Sequence, residues 1–196
     1  EKVFIMKRLL LILILTLSFQ TFAKADDISD FEIEGISIGD NLLDYFSVDE
    51  IKIESGRATQ YPKSQEFINS QFFNNLETYD VVIINYKRIN KDYKIYGVAG
   101  VLDYKSTIKL CYKKMDEINN NVKNIFPSLK SEREKSKLPG DTTGKSYETA
   151  IYYVFKSGGY VTISCYDWSE GSGFNDHLRF SITSKDFGFF LENEAY

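Results

Sequence analysis

Residues 106–126, which read STIKLCYKKMDEINNNVKNIF, decide the fold of this chain. Their apolar members recur at alternating steps of three and four positions, which is the spacing that places side chains on one face of an α-helix. They are Ile108, Cys111, Met115, Ile118, Val122 and Ile125. Pro127 ends the pattern, because proline disfavours the helical conformation of the residue before it. The segment therefore predicts one long helix with an apolar side that packs on another layer.

Patterns typical of β-strands lie on both sides of this helix. Before it, residues 79–86 and 93–104 are rich in β-branched and aromatic residues, and the polar stretch between them suits a hairpin. After it, the strand-like segments are residues 149–155, 160–166 and 177–183. The polar segment 128–146, which separates the helix from these strands, predicts a long loop.

Shorter helical signals flank this central part. Asp40 is a suitable N-cap for a short helix, and residues 47–50 (SVDE) have the form of a capping box. Near the C-terminus, Ser184 can cap another short helix, but Gly188 within that segment leaves a strand as the alternative. The fold class is therefore α+β, with an antiparallel sheet of about five strands, one long helix on one face, and short N-terminal helices.

The start of the chain has the pattern of a secretory signal peptide. Residues 6–8 (MKR) form a basic start, and residues 9–19 form an apolar run. Ala23 and Ala25 provide the small residues of an A-x-A cleavage site. The apolar run is shorter than the roughly 20 residues that a membrane-spanning helix needs.

The signal pattern divides the chain into two parts. Residues 1–25 are predicted to be a removable signal peptide, in which residues 1–5 are a short extension upstream of the start. Residues 26–196 are predicted to form a single exported α+β domain, periplasmic or secreted, with no stable membrane anchor after cleavage.

The two cysteines are predicted to form a disulfide. Cys111 lies on the apolar side of the long helix, and alternation along its strand places Cys165 on the same face as Val161 and Ile163. Both thiols therefore point into the interface between helix and sheet. Because such thiol pairs become oxidised in exported proteins, we expect a Cys111–Cys165 disulfide. Two unpaired buried thiols are the alternative.

Composition and motifs argue against several kinds of site. One His, two Cys and a formal net charge of −4 suit neither a zinc or iron–sulfur site nor nucleic-acid binding. Residues 140–146 (GDTTGKS) follow Pro139, where a phosphate-binding loop needs glycine, and residues 167–176 lack the glycine of a calcium loop. The single histidine, His177, has Asp176 beside it on the opposite side of the strand. We expect no catalytic residue, cofactor or metal.

Four aromatic residues form a candidate binding strip. Tyr160 and Tyr166 lie on the face of their strand opposite Cys165, Trp168 continues the alternation, and Tyr152 belongs to the neighbouring strand. Such strips bind sugars or partner proteins, because large rings give contact area at low entropy cost. The alternative is that tyrosine simply suits outward positions of a strand.

Residues 31–47, FEIEGISIGDNLLDYFS, resemble the mature N-terminus of a group of small uncharacterised bacterial exported proteins. That group shares a signal peptide, this segment, strand pairs and a Cys-bearing helix. The resemblance implies export and a common fold, and it implies no particular activity. With catalytic motifs missing, we expect a non-enzymatic module that binds a protein or a cell-envelope component. A cell-envelope hydrolase that uses loop carboxylates is the alternative.

Overall fold

The structure is a computed structural model that describes residues 27–58, 61–89, 92–105, 107–139, 141 and 143–196. Across these ranges, seven strands form one sheet, and three α-helices pack around it. The signal peptide, with its cleavage residues Ala23 and Ala25, lies outside the described residues and stays a prediction.

The strand order across the sheet differs from the order along the chain. The elements are α1 (Val48–Arg57), β1 (Phe67–Phe72), β2 (Val81–Lys87), β3 (Ile95–Lys105), α2 (Ile108–Ile125), β4 (Ser131–Lys137), β5 (Tyr147–Val154), β6 (Tyr160–Asp167), β7 (Asp176–Thr183) and α3 (Lys185–Asn193). The sheet order is β1-β2-β3-β7-β6-β5-β4, and each neighbouring pair is antiparallel. The last strand thus joins two groups of three strands.

The α+β class and the antiparallel sheet are confirmed, but the predicted number of strands is wrong. The sheet has seven strands rather than about five, and the two additional ones, β1 and β4, are its edges. β4 occupies part of the predicted loop 128–146 and reads SEREKSK. This strand exists because it pairs along its whole length with β5, while its charged side chains stay exposed. Charged residues of this kind protect a sheet edge from pairing with other chains.

The helices agree with the sequence more closely. α2 covers most of the predicted long helix, and α1 begins with the capping box of Ser47 and Glu50. Asn41 rather than Asp40 caps the preceding 3₁₀ turn (Leu42–Asp44), because the Asp40 carboxylate accepts from Ser37 N–H and the Tyr45 hydroxyl instead. The C-terminal segment is the helix α3, capped by Ser184.

The main core lies between α2 and the sheet. The helix buries Cys111, Met115 and Val122 against β6, β7 and β3. The predicted disulfide between Cys111 and Cys165 is present and joins the helix to the centre of β6. At one end of this layer Phe31 stacks on Phe126 with ring centroids 4.7 Å apart. The core therefore joins the N-terminal segment to the helix and the sheet.

Asp141 organises the turn between β4 and β5. One of its carboxylate oxygens accepts hydrogen bonds from Ser146 N–H (2.9 Å), Ser146 Oγ (2.7 Å) and Thr143 Oγ1 (2.6 Å). The same oxygen accepts from Ser169 Oγ at 3.1 Å, which ties this turn to the next hairpin. The hydroxyls of Thr143 and Ser146 hold the pKa of Asp141 well below its usual range. The turn that carries part of the phosphate-loop-like motif is thus closed by a side chain of its own.

We expect Asp141→Asn to lower the melting temperature at neutral pH and to weaken its dependence on acid. Because the folded-state pKa lies below the ordinary value of 3.8, the carboxylate stabilises the fold above pH 3.8 and loses that effect as the pH falls further. Melting curves between neutral pH and pH 2 test this. Asp92→Asn is the matched control, since Asp92 is exposed. Equal acid sensitivity of wild type and Asp141→Asn contradicts the expectation.

Candidate functional site

Alternation along the strands gives the sheet two different faces. The first face, which includes Ile163, Cys165 and Leu178, is covered by α2. The opposite, second face is covered at one end by α3, where Phe187 packs against Gly97 and Gly188 packs against Tyr160. The rest of the second face is free of helices among the described residues, so this is where the sheet can meet a ligand.

Two cavities lie side by side on the second face. One has a volume of about 420 Å³ and lies next to α3, with Tyr61, Asn69 and Asn85 in its wall. The other has a volume of about 500 Å³, and Val81, Ile83 and Val101 provide apolar surface in its wall. Gln71 and Arg179 line both cavities. Together the cavities form a groove across the sheet with Arg179 at its centre.

Arg179 is placed by the pairing of the central strands. It lies on β7 opposite Val101 of β3 on one side and Ser164 of β6 on the other. No carboxylate of a described residue forms an ion pair with its guanidinium. Its Nε is buried and has no hydrogen-bond acceptor among the described residues. A positive charge is thus held in the groove without a described carboxylate in ion-pair contact.

Tyr166 is a polar neighbour of this guanidinium. Burial raises the pKa of the Tyr166 hydroxyl, while Arg179 lowers it and Glu148 raises it further. The tyrosine therefore remains a neutral hydroxyl at physiological pH, and it offers Arg179 only a partial compensation for its charge.

Trp168 supplies a second buried donor to the same cavity. Its Nε1 has no acceptor among the described residues. Its ring lies against Phe174 with centroids 4.4 Å apart, and its backbone N–H donates to Asp176 Oδ1 at 2.9 Å. A buried N–H group without an acceptor costs about 1–3 kcal/mol. One cavity thus has two such donors in its wall, on Trp168 and Arg179.

His177 is neutral in this environment. Its ring stacks on Tyr166 with centroids 4.4 Å apart, and its Nδ1 lies 3.0 Å from the Asn175 carbonyl oxygen. Because a carbonyl only accepts, Nδ1 carries the hydrogen, and Nε2 is left as an acceptor. Burial lowers the pKa of His177, and Arg179 lowers it further. Asp176 is engaged elsewhere, by Trp168 N–H.

The carboxylates at the rim of the cavity accept hydrogen bonds from backbone N–H groups. Asp80 Oδ2 accepts from Asp103 N–H at 2.8 Å. Asp103 in turn accepts from Lys105 N–H at 2.8 Å and from Asn175 Nδ2 at 2.9 Å. Burial, together with Asp176, raises the pKa of Asp167, but Asp167 shares the parity of Cys165 and lies on the first-face side of β6. The raised carboxyl group is therefore not in the groove.

The four aromatic residues of the predicted strip share the second face but have different surroundings. Tyr166 and Trp168 line the larger cavity. Tyr160 packs beneath α3, where a Cβ added at Gly188 would lie 2.8 Å from its ring. Tyr152 lies on β5. Burial raises its pKa to about 12, and the neighbouring Glu148 and Glu134 contribute to this rise. The binding role of the strip stays a prediction, and the structure brings only two of its members to a cavity.

Sequence reasoning missed the centre of the groove. Arg179 and Gln71 were not singled out, and Gln71 belongs to the unpredicted strand β1. A signal for Arg179 was present in the strand DHLRFSIT, where it lies between Leu178 and Phe180. Alternation therefore turns Arg179 away from the apolar side of the strand, and neither adjacent residue offers it an opposite charge.

A third cavity, of about 500 Å³, lies between α1 and the segment after β1, where Ile53 and Phe73 are exposed. Its charged groups are already engaged. Glu34 accepts from the backbone N–H groups of residues 77, 78 and 79, and Arg57 pairs with Glu54 at 3.3 Å. This cavity therefore offers a ligand fewer free polar groups than the groove does.

Within the described ranges, no three His, Cys, Asp or Glu side chains are grouped to hold a metal ion. In the same part of the chain, no helix is long and apolar enough to span a membrane. Comparison of the chain with known protein families, with curated proteins and with solved structures found no match.

Proposed function

We propose that this protein is a non-enzymatic binding module of the periplasm or the extracellular space, and that it holds a cell-envelope component in the second-face groove. The observation that carries this proposal is Arg179, which has no ion-pair partner among the described residues and lines a cavity with mostly apolar walls. A concave, mostly apolar site with a few converging polar groups is the usual form of a small-molecule site.

The size of the groove supports a ligand rather than a flat protein contact. Its two cavities measure about 420 and 500 Å³, which lies in the range of about 300–1,000 Å³ common for small-molecule sites. The floor is formed by the sheet itself, so the site is built on rigid elements.

The disulfide supports the exported location. Cys111 and Cys165 are both fully buried and bonded to each other. Disulfides persist in oxidising compartments and are rare in the cytosol. The resemblance of residues 31–47 to exported proteins agrees with this location.

The hydrolase alternative requires two facing carboxyl groups, one of them with a raised pKa. Asp80 and Asp103, at the rim, accept hydrogen bonds from backbone N–H groups. Asp167, whose pKa is raised, lies on the other side of the sheet. The arrangement therefore favours binding over hydrolysis.

We expect ligand binding at the second face to be blocked by Val101→Phe, which adds a ring to the wall of the larger cavity. Suitable probes are phenylacetate, phenethylamine, phenylacetamide and N-acetylglucosamine. Their binding is measured through changes in the amide chemical shifts of the protein in NMR spectra. At least one probe is expected to shift the resonances of Ile83 and His177 and to leave Met115, on the first face, unchanged.

Val154→Phe is the matched control, because Val154 is 63% exposed and does not line either cavity. It is expected to bind like the wild type. Shifts confined to the α1 cavity around Ile53, or no shifts with any probe, overturn the proposed binding face. A protein partner is indicated instead if only a macromolecule perturbs these resonances.

A further inference from the structure

We propose that the ligand is an organic monocarboxylate with an apolar ring or chain, and that Arg179 holds its carboxylate. This inference rests on the proposed binding function and specifies the chemical class of the ligand.

The guanidinium of Arg179 offers the geometry that a carboxylate requires. An arginine binds a carboxylate side-on through two parallel N–H bonds, one of which comes from Nε when that edge is used. In this protein Nε has no acceptor among the described residues, and no carboxylate pairs with the guanidinium there. Within the described ranges, Nε thus has no partner of its own on the edge that a carboxylate would use.

Trp168 Nε1 is a second donor in the wall of the same cavity and is likewise without an acceptor in the described ranges. Indole N–H groups donate and never accept, so this position also selects for an acceptor atom. Both donor atoms are covered by protein atoms, so a ligand reaches either of them only if its side chain rotates. A carboxylate bound to Arg179 compensates the guanidinium with a full charge, which neither a hydroxyl nor an amide of similar size does.

The walls of the cavity suit the rest of such a molecule. Val81, Ile83 and Val101 provide an aliphatic surface, and the ring of Phe174, which is 61% exposed, lies beside Trp168. An apolar ring or chain bound here leaves water and contacts both aliphatic and aromatic groups.

The surrounding charges favour a monoanion over a dianion. Asp80 and Asp103 line the same cavity, and Glu148 lies close enough to Tyr166 to raise its pKa. The chain as a whole has a formal net charge of −4. One arginine among these carboxylates compensates a single negative charge, whereas a phosphate dianion adds repulsion.

Trp168 also provides the measurement, because it is the single tryptophan of the chain. Fluorescence titration of the wild type with phenylacetate is expected to give a Kd on the order of 1 mM, as suits so small a probe. Phenylacetamide has the same shape without the charge and is expected to bind at least about tenfold more weakly. Phenethylamine and phenyl phosphate are expected to bind more weakly than phenylacetate as well.

Arg179→Met removes the charge and keeps the length of the side chain. We expect it to weaken phenylacetate at least about tenfold and to change phenylacetamide binding less than about twofold. Arg133→Met is the control, since Arg133 lies on the first-face side of β4 beside Asp116. It is expected to leave both affinities unchanged.

The outcomes separate this inference from the function on which it rests. If phenylacetamide or phenethylamine binds the second face as tightly as phenylacetate, the carboxylate assignment is wrong and the binding function stands. If phenyl phosphate binds more tightly, the ligand class is a dianion and the assignment is also wrong. If no probe changes the fluorescence of Trp168 or the amide shifts of the second face, both proposals fail. The comparison of phenylacetate with phenylacetamide uses only the wild type. It therefore remains decisive even if Arg179→Met folds poorly.

Discussion

Replacing both Cys111 and Cys165 by alanine is expected to lower the free energy of unfolding by about 4 kcal/mol. The disulfide closes a loop across a sequence separation of 54 residues and joins α2 to the central part of the sheet. Without it, the unfolded chain gains the freedom of that whole loop, while the folded state keeps the same interface of helix and sheet. Denaturant unfolding of the variant and the wild type measures the difference.

Reduction of the wild type is the control for this substitution. Alanine also removes two buried sulfur atoms and leaves small voids, which adds to the loss of stability. The reduced wild type keeps the sulfur atoms, so it isolates the effect of the bond itself. An unfolding midpoint that is the same with and without a reductant contradicts the expectation, as does a mass spectrum showing two alkylatable thiols in the oxidised protein.

Phe190→Ala is expected to lower the free energy of unfolding by about 3 kcal/mol or more. Phe190 is 2% exposed, and its ring lies 5.0 Å from that of Tyr61 and 4.8 Å from that of Phe67. These contacts attach α3 to the second face beside the groove. Removing the ring leaves a void among aromatic side chains that cannot easily close.

Phe189→Ala is the matched control for this prediction. Phe189 is the neighbouring residue of the same helix, and it is 59% exposed. Its replacement is expected to change the free energy of unfolding by less than about 0.5 kcal/mol. Equal effects of the two substitutions would mean that α3 contributes to stability through its helical propensity and not through its packing.

The elements that the sequence predicts well are those with strong local patterns. The apolar stripe of α2 marks the side that is buried at Cys111, Met115 and Val122, although its last member, Ile125, is 60% exposed. Alternation in β6 fixes which face Cys165 occupies, and together the two patterns predict the disulfide. The capping box at Ser47 is equally local. Such features depend on neighbours along the chain, so one segment is enough to read them.

The edge strands depend on pairing with the next strand along the chain, and the groove depends on contacts between distant segments. β4 has the composition of a loop, and it becomes a strand only because β5 offers it hydrogen bonds. Gln71 lies on β1 and Arg179 on β7. The pairings of β1 with β2, β2 with β3 and β3 with β7 bring both residues to one face. Tyr166 and Trp168 of the predicted aromatic strip line the larger cavity, but the helix over Tyr160 could not be foreseen because Gly188 left that segment ambiguous.

The central position of β7 has a consequence for the order of assembly during synthesis. β1–β3 form one ladder and β4–β6 another, and each leaves an open edge until β7 pairs with both β3 and β6. The last strand in chain order is therefore the one that closes the sheet; its pairing with β6 is a hairpin, whereas its pairing with β3 is nonlocal and slow compared with hairpin formation. Until then the nascent chain exposes the edges of β3 and β6 in addition to the outer edges β1 and β4, which is the state in which helper proteins that shield strands are most useful.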